Sequence, residues 1–365
     1  MISLVVNLFY FLLIESFRQS WKRLSTFKVF LPDPEVWPTV SVIIPFRNEK
    51  DNLATILSTL NKLDYEDNKL EFIFVDDHSD DGGFDFDLSD VKFKCQLLSL
   101  KDVRGKKAAL TLGINASTAE WIATTDADCS IKPMWLKSMI RKGDDCGAVM
   151  VCGTVNIANM HSFFTQLQSI EMLTIQHIGA ASLSNGMTLV NTGASLMFKR
   201  TVFHEVNGYA SSMNIPSGDD TFLMIEMNNR YPGAVVADIS NSAAAETLPM
   251  LTLKELFQQH IRWGQKTVKY KNLTIKLIGL LTVLSSFLFL IQLLGVILLN
   301  WSLFYLVLTI LLRAFAELRF LSLLEQYFNF RHTLLAKLAM IFLYPLFLVV
   351  VAISGFFVSP KWKGR

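Results

Sequence analysis

The chain has 365 residues, of which 51% are hydrophobic and 18% charged, with a formal net charge of +2. A charged share below the roughly 25% of ordinary globular domains excludes a disordered chain and disfavours a purely soluble enzyme. The small net charge excludes a strong nucleic-acid field, so no nucleic-acid partner is expected. The four cysteines, with no CxxC pair, exclude a disulfide scaffold and argue against a zinc site.

The N-terminal run Met1–Ile14 holds 14 residues without a charge. No small-residue cleavage site follows it. Extended by Phe17 and Trp21, residues 1–24 read as an uncleaved membrane anchor. Val40–Pro45 (VSVIIP) is a continuous apolar, β-branched run, the pattern of a strand buried on both faces. Asn52–Leu63 places Leu53, Ile56, Leu57 and Leu60 on one helical stripe. Glu71–Val75 and Gln96–Leu100 read as further strands, Lys106–Asn115 as a helix and Trp121–Thr125 as a fourth strand. This alternation over 38–250 predicts an α/β domain with a mostly parallel sheet and right-handed crossovers. Ligands of such sheets bind at the carboxyl ends of the strands, and the acidic clusters Asp76-Asp77 and Asp126-Ala-Asp128 fall there.

Beyond this domain, Leu251–Tyr270 is amphipathic, and 251–273 reads as an interface segment. Leu277–Leu312 runs 36 residues without Asp, Glu, Lys or Arg. As one helix it would be about 54 Å long against a hydrocarbon core of about 30 Å, so it must break, with Gly295 and Asn300 the expected places. Spans are expected near 275–294 and 297–316. Leu338–Val358, 21 uncharged residues, supplies a third within 274–358, before a basic tail at 359–365. Lys and Arg flank the middle region on both sides, which predicts an integral protein of a bacterial-type inner or plasma membrane with its catalytic domain in the cytoplasm. The same count sends Lys361, Lys363 and Arg365 outside, against the rule, so one segment is re-entrant or miscounted.

Five polar groups carry candidate chemistry, each with a plain structural alternative. Asp126 and Asp128 suit a hard divalent cation, or a turn before Lys132-Pro133. The carboxylates of Asp76-Asp77 suit base or ribose donors, or a solvated loop. Arg104-Gly105-Lys106-Lys107 opens a helix and suits phosphate, or a basic turn. Asp219-Asp220 suits a general base, or a helix cap. Gln259-His260-Ile261-Arg262-Trp263 suits phosphate and a flat sugar or base, or an interfacial helix.

Their order narrows the reading. SVIIPFRNE (41–49), VDDHSDD (75–81), RGKKAAL (104–110), TTDADC (124–129), NTGASLMF (191–198), SGDD (217–220) and QQHIRW (258–263) together resemble the inverting family 2 glycosyltransferases. More narrowly they look like the membrane-integrated branch that holds cellulose, chitin and hyaluronan synthases and ceramide glucosyltransferases. The resemblance covers about residues 38–265. It implies a GT-A fold (Rossmann-like, mostly parallel sheet) joined to transmembrane α-helices, a nucleotide-sugar donor, usually a UDP-sugar, and Mg²⁺ or Mn²⁺. It further implies that Asp77 contacts the uracil, that Pro45, Asn48 and Glu49 line the nucleotide, and that Arg104 and Lys106 lie on the nucleotide side. Asp126 would meet ribose or metal and Asp128 would ligate the metal. Asp220 would be the base, while Gln259, Arg262 and Trp263 would hold the diphosphate and acceptor end. Gly193 and Ala194 would border sugar and acceptor. The family's usual Glu before the base is Asp219 here, which leaves open which of the two carboxylates is the base. The expected reaction is a β-forming transfer to a lipid or lipid-linked acceptor. Three long C-terminal spans are few for a private polymer channel, which places a processive polysaccharide synthase second. A non-catalytic membrane scaffold ranks low because Asp126, Asp128, Asp219, Asp220 and Arg262 are all present, and a transporter is a third reading.

Overall fold

The computed structural model describes residues 1–26, 33–88, 91–215, 217–270 and 272–358. The expected basic tail at 359–365 lies outside them. The chain divides into two compact units. One holds Leu24–Ala158 and Ser182–Leu248; the other holds Met1–Arg23, Asn159–Ala181 and Pro249–Arg365.

In chain order the elements are α1 (Ile2–Thr26), β1 (Val40–Phe46), α2 (Lys50–Leu60), β2 (Leu70–Asp76), β3 (Lys94–Ser99), α3 (Lys106–Ala116), β4 (Trp121–Thr124), β5 (Cys129–Ser130) and α4 (Trp135–Cys146). There follow β6 (Met150–Cys152), β7 (Thr154–Ile157), α5 (Phe163–Ser184), β8 (Leu196–Lys199), α6 (Arg200–Glu205), α7 (Asp219–Arg230), β9 (Val235–Ala237) and β10 (Ala244–Thr247). The last helices are α8 (Leu253–Lys269), α9 (Leu273–Leu299), α10 (Leu303–Phe328) and α11 (Leu334–Ser354).

The first unit is built on a seven-stranded sheet in the order β3-β2-β1-β4-β8-β6-β9. β1 and β2 are buried along their whole lengths, and the polar side chains inside them, Ser41 and Glu71, bond each other. The pairs β1–β2, β2–β3, β1–β4 and β6–β9 are parallel, whereas β8 runs antiparallel to both β4 and β6. The expected mostly parallel α/β sheet is present, with one reversed strand that the βαβ pattern does not announce. A small second sheet, β5-β10-β7, is made of strands of two to four residues. The chain goes from β1 to β2 on one side and later returns to β4 on the other. The carboxyl ends of β1 and β4 therefore face a switch point, where the connecting loops diverge and leave a crevice.

The helix α3 is held against the sheet by a glycine. A Cβ at Gly113 would stand 2.6 Å from Ile43 Cγ2 and 3.1 Å from Val75 Cγ2. That close approach sets the depth of α3, and so the height at which its first residue, Lys106, enters the crevice.

In the second unit, α1, α9 and α11 are long and apolar enough to cross a membrane, the three such helices among the described residues. α9 ends at Leu299. Asn300 turns in the left-handed region (φ 51°), and the Trp301 N–H donates back to the Gly295 carbonyl at 3.1 Å. The Trp301 ring closes over Gly295, where a Cβ would come within 2.2 Å of it. The segment near 297–316 lies across this turn and the first half of α10. α10 buries Arg313, which is only 2% exposed. Its guanidinium donates to Asn7 Oδ1 (3.1 Å) and Ser285 Oγ (3.2 Å) and pairs with Glu317 (3.2 Å), so α1, α9 and α10 share one polar knot.

Replacing Gly113 with Ala should therefore destabilise the sheet unit by about 1–3 kcal/mol, the usual penalty of overpacking. Denaturant unfolding of the variant checks it, with an unchanged midpoint contradicting the packing account.

Candidate active site

The crevice is walled by loops that the backbone itself ties together. After β1, Asn48 adopts φ 51°; after β2, His78 adopts φ 59°. Such left-handed turns are tolerated by Asn and His better than by branched residues. The Asn48 N–H donates to Ser79 Oγ (3.0 Å), and its Oδ1 accepts from the Asp80 N–H (2.9 Å). The Lys50 N–H donates to Asp81 Oδ2 (2.9 Å), and the Ser79 N–H to Asp76 Oδ1 (3.0 Å). The two loops thus form one rigid edge. Pro45 is buried in β1, and Glu49 is nearly so, its carboxylate accepting from the Asn52 side chain at 2.6 Å.

Asp77 is 2% exposed, which demands partners for its charge. Its Oδ2 accepts the Gly105 N–H at 3.0 Å, and its Oδ1 lies 3.2 Å from His78 Nδ1. Arg47 donates to the Asp77 carbonyl at 3.1 Å. Gly105 sits at φ 110°, a conformation glycine alone adopts without strain, and it opens α3. Asp77 therefore clamps the end of β2 to the start of α3. Arg104, just before it, is exposed.

The next residue, Lys106, is the centre of the site. Its ammonium lies 2.6 Å from Asp126 Oδ1 and 3.5 Å from Asp219 Oδ2. Burial works against its charge, but Asp126 and then Asp219 outweigh it and hold its pKa well above the usual lysine range. Gly193 passes close by: a Cβ there would meet Asp219 Oδ2 at 3.1 Å and Lys106 Nζ at 3.2 Å. The Gly193 carbonyl is held by Thr124 Oγ1 at 2.8 Å, and Ala194 is buried behind it. Asp219 and Asp220 occupy the first turn of α7 after Gly218 (φ 82°), where a helix N-terminus favours carboxylates.

Asp128 stands two residues beyond Asp126. Its side chain reaches the surface, yet desolvation by the nearby protein, and then the Asp126 charge, raise its carboxyl pKa. The buried Cys129 thiol lies 3.6 Å from Asp128 Oδ1; burial, then the two aspartates, push its pKa well up, so it remains a donor. Among the described residues no group of three or more His, Cys, Asp or Glu could by itself enclose a metal ion. Asp126 and Asp128 nevertheless form an acidic pair whose mutual repulsion a cation relieves. Mg²⁺ commonly takes one or two carboxylates and completes its shell with substrate phosphates and water.

Two roles at the site escape motif reading. Lys107 is 5% exposed, and its ammonium donates to the carbonyls of Ser212 (2.6 Å), Ile215 (2.9 Å) and Ser217 (3.4 Å). It pins the loop that delivers Asp219 and Asp220. Tyr209, 2% exposed, has its phenol pKa raised by burial and then by Asp219. In the RGKK motif, neighbouring lysines serve different ends: one faces the carboxylates, the other anchors a loop.

Pro45, Asn48, Glu49, Asp77, Arg104, Lys106, Asp126, Asp128, Gly193, Ala194, Asp219 and Asp220 all belong to the sheet unit. Gln259, Arg262 and Trp263 belong to the helical unit, on α8, which starts at a capping box between Thr252 and Glu255. The Trp263 ring lies 4.9 Å from the His260 ring, tilted 54° to it.

Residues 41–206 match the family described as glycosyl transferase family 2. The chain is 29% identical over 185 residues to a poly-beta-1,6-N-acetyl-D-glucosamine synthase of Staphylococcus epidermidis, covering 48% of this chain and 42% of that protein. It is 27% identical over 259 residues to an N-acetylglucosaminyltransferase of Neorhizobium galegae, covering 67% and 58%. The chain spans about half the length of the curated relatives it matches. Among solved structures, a mannosyltransferase from Pyrobaculum calidifontis, determined with GDP-Man and Mn²⁺, matches with a TM-score of 0.64 at 17% identity over 98% of each chain. The fold is thus that of the GT-A glycosyltransferases, and residues 41–206, most of them in the sheet unit, match a glycosyl transferase family 2 domain.

Lys107→Met should lower stability by roughly 1.5–3 kcal/mol, because three carbonyls lose a charged donor and the loop before Asp219 is released. Thermal unfolding, together with proteolysis within 212–218, checks this, and a wild-type melt with an uncut loop would contradict it.

Proposed function

We propose that the protein is an inverting, divalent-metal-dependent membrane glycosyltransferase. It moves a sugar from a UDP-sugar to a hydroxyl of a lipid or lipid-linked acceptor and forms a β-glycosidic bond. The observation that carries this reading is the convergence of Asp126, Asp219 and Lys106 at the carboxyl edge of the sheet, beside a rigid loop edge closed by Asp77. Three helices apolar enough for lipid support a membrane setting, with the sheet unit on the cytoplasmic side.

In this reading Asp77 and the loop edge receive the nucleotide, with Arg104 and Lys106 on its phosphate side. Asp126 and Asp128, an acidic pair with a raised carboxyl, hold Mg²⁺ or Mn²⁺. When bound, the ion supplies Lewis-acid stabilisation of the departing diphosphate. Asp220, beside Asp219 in the first turn of α7, takes the proton from the acceptor hydroxyl. As that oxygen bonds to the anomeric carbon, the bond from carbon to diphosphate breaks and UDP leaves. Arg262 and Gln259 steady the diphosphate and Trp263 the acceptor end. The names of the relatives put N-acetylglucosamine first among the donor sugars to be tried. The likeness to a poly-beta-1,6-N-acetyl-D-glucosamine synthase favours one second reading, a processive polysaccharide synthase.

The test is transfer of radiolabelled sugar by membranes carrying the protein, across a panel of UDP-sugars with Mn²⁺ or Mg²⁺. Label entering an organic phase supports the lipid acceptor; label in high-mass, organic-insoluble material supports the polymer; no transfer from any donor sinks both. In the same assay Asp220→Asn should cut turnover by about 10²–10⁴-fold while UDP-sugar binding persists. Near-normal turnover would remove Asp220 as base.

A further inference from the structure

The motif QHIRW contains a histidine to which the transfer reading gives no task. His260 is 8% exposed and Glu171, on α5, is 7% exposed. The His260 Nε2 lies 2.7 Å from Glu171 Oε1, and its Nδ1 lies 2.8 Å from the Leu256 carbonyl one turn back on α8. A carbonyl only accepts, and so does an ionised carboxylate; with Glu171 ionised, both ring nitrogens donate and the ring is an imidazolium. On its other sides the ring packs against Trp263 at 4.9 Å and Phe347 of α11 at 4.9 Å. From α11 the Tyr344 phenol also faces Glu171. Among the described residues Glu171 is the charged group acting on His260.

We propose that Glu171 and a protonated His260 form a buried ion pair that positions Arg262 and Trp263 for the transfer step, and that this step is lost when the pair discharges at alkaline pH. The proposal rests on the reading of α8 as the segment that handles diphosphate and acceptor, and it deepens that reading. Both residues are positioning residues and touch no substrate. Arg262 and Trp263 follow His260 by two and three residues, so the orientation of the ring and of α8 are one variable. Loss of the proton removes one of the two donations and leaves Glu171 buried without a cation, which is strongly unfavourable.

The direction follows from the histidine itself. Burial works against the charge, but Glu171 outweighs it and raises the His260 pKa above its ordinary value. A group whose folded pKa is raised contributes fully below its unfolded pKa, and its contribution disappears as pH rises through the folded value. The transfer rate should therefore fall on the alkaline side, above the ordinary histidine range.

The experiment uses the full chain in lipid nanodiscs, with the UDP-sugar and acceptor on which the wild type turns over, and Mn²⁺. kcat, donor KM and Tm are measured from acid to alkaline pH for wild type, Glu171→Gln, Glu171→Asp and His260→Asn. The expected result is that Glu171→Gln lowers kcat at neutral pH by about ten-fold or more with donor KM little changed. Its alkaline limb should move down by about one pH unit or more, and Glu171→Asp should restore part of both. His260→Asn should abolish the limb. Variants that fold, as Tm reports, and keep the wild-type kcat and pH profile overturn the proposal alone. A wild type that transfers nothing, while its Tm still falls as pH rises through the His260 pKa, overturns the functional reading and the transfer role with it, and leaves only a structural ion pair.

Discussion

The reach of one lysine side chain constrains the whole sheet unit. Lys106 must touch Asp126 at the end of β4 and Asp219 at the start of α7, so three segments far apart in sequence have to meet within a few ångströms. Three like charges in one crevice repel each other, and a buried carboxylate without a partner is costly. The ammonium makes that crowd tolerable. Everything near it serves its placement: Gly113 lets α3 sit deep on the sheet, Asp77 clamps the start of α3, and Gly193 leaves room beside the ammonium.

The same arrangement explains why the catalytic reading centres on the carboxyl edge. The parallel strands β2, β1 and β4 deliver Asp77 and Asp126 to one edge, on either side of β1, where the connections leave the sheet in opposite directions at the switch point. The antiparallel β8 matters for a different reason. Reversing that strand brings Gly193 and Ala194, just before it, to the edge where β4 ends, since Leu196 pairs with Thr124. Lys107 completes the frame from the opposite side of the same helical turn by holding the loop that ends in Asp219 and Asp220.

Much of this was legible in the sequence, and the limits have physical causes. The apolar runs of β1 and β2 and the stripe of α2 announce themselves because burial dictates a simple periodicity. The acidic pairs fall directly after buried strands, and it is their order along the chain with the other motifs, not any one pair, that outweighs the plain readings of each. The reversed β8 and the small β5-β10-β7 sheet do not stand out: strands of two to four residues carry no period, and a strand's direction is a tertiary property. Lys107 reads as half of a basic turn, since nothing local distinguishes a lysine that meets carboxylates from one that meets carbonyls. Glu171 is equally silent, because its partner lies 89 residues away. In the helical unit, the break at Asn300 is a local signal, whereas the pairing of Arg313 with Asn7, Ser285 and Glu317 joins helices that only folding brings together.

The central claim is that Asp126, Asp128 and Lys106 build one donor-binding centre that a divalent cation completes. Titration calorimetry of UDP-sugar binding to the full chain, with Mn²⁺ and with chelator, for wild type and Asp128→Asn, tests it most directly. The account predicts binding that needs Mn²⁺ in the wild type and loses most of that dependence in Asp128→Asn. Binding of equal strength with chelator, or unchanged Mn²⁺ dependence in the variant, would contradict it.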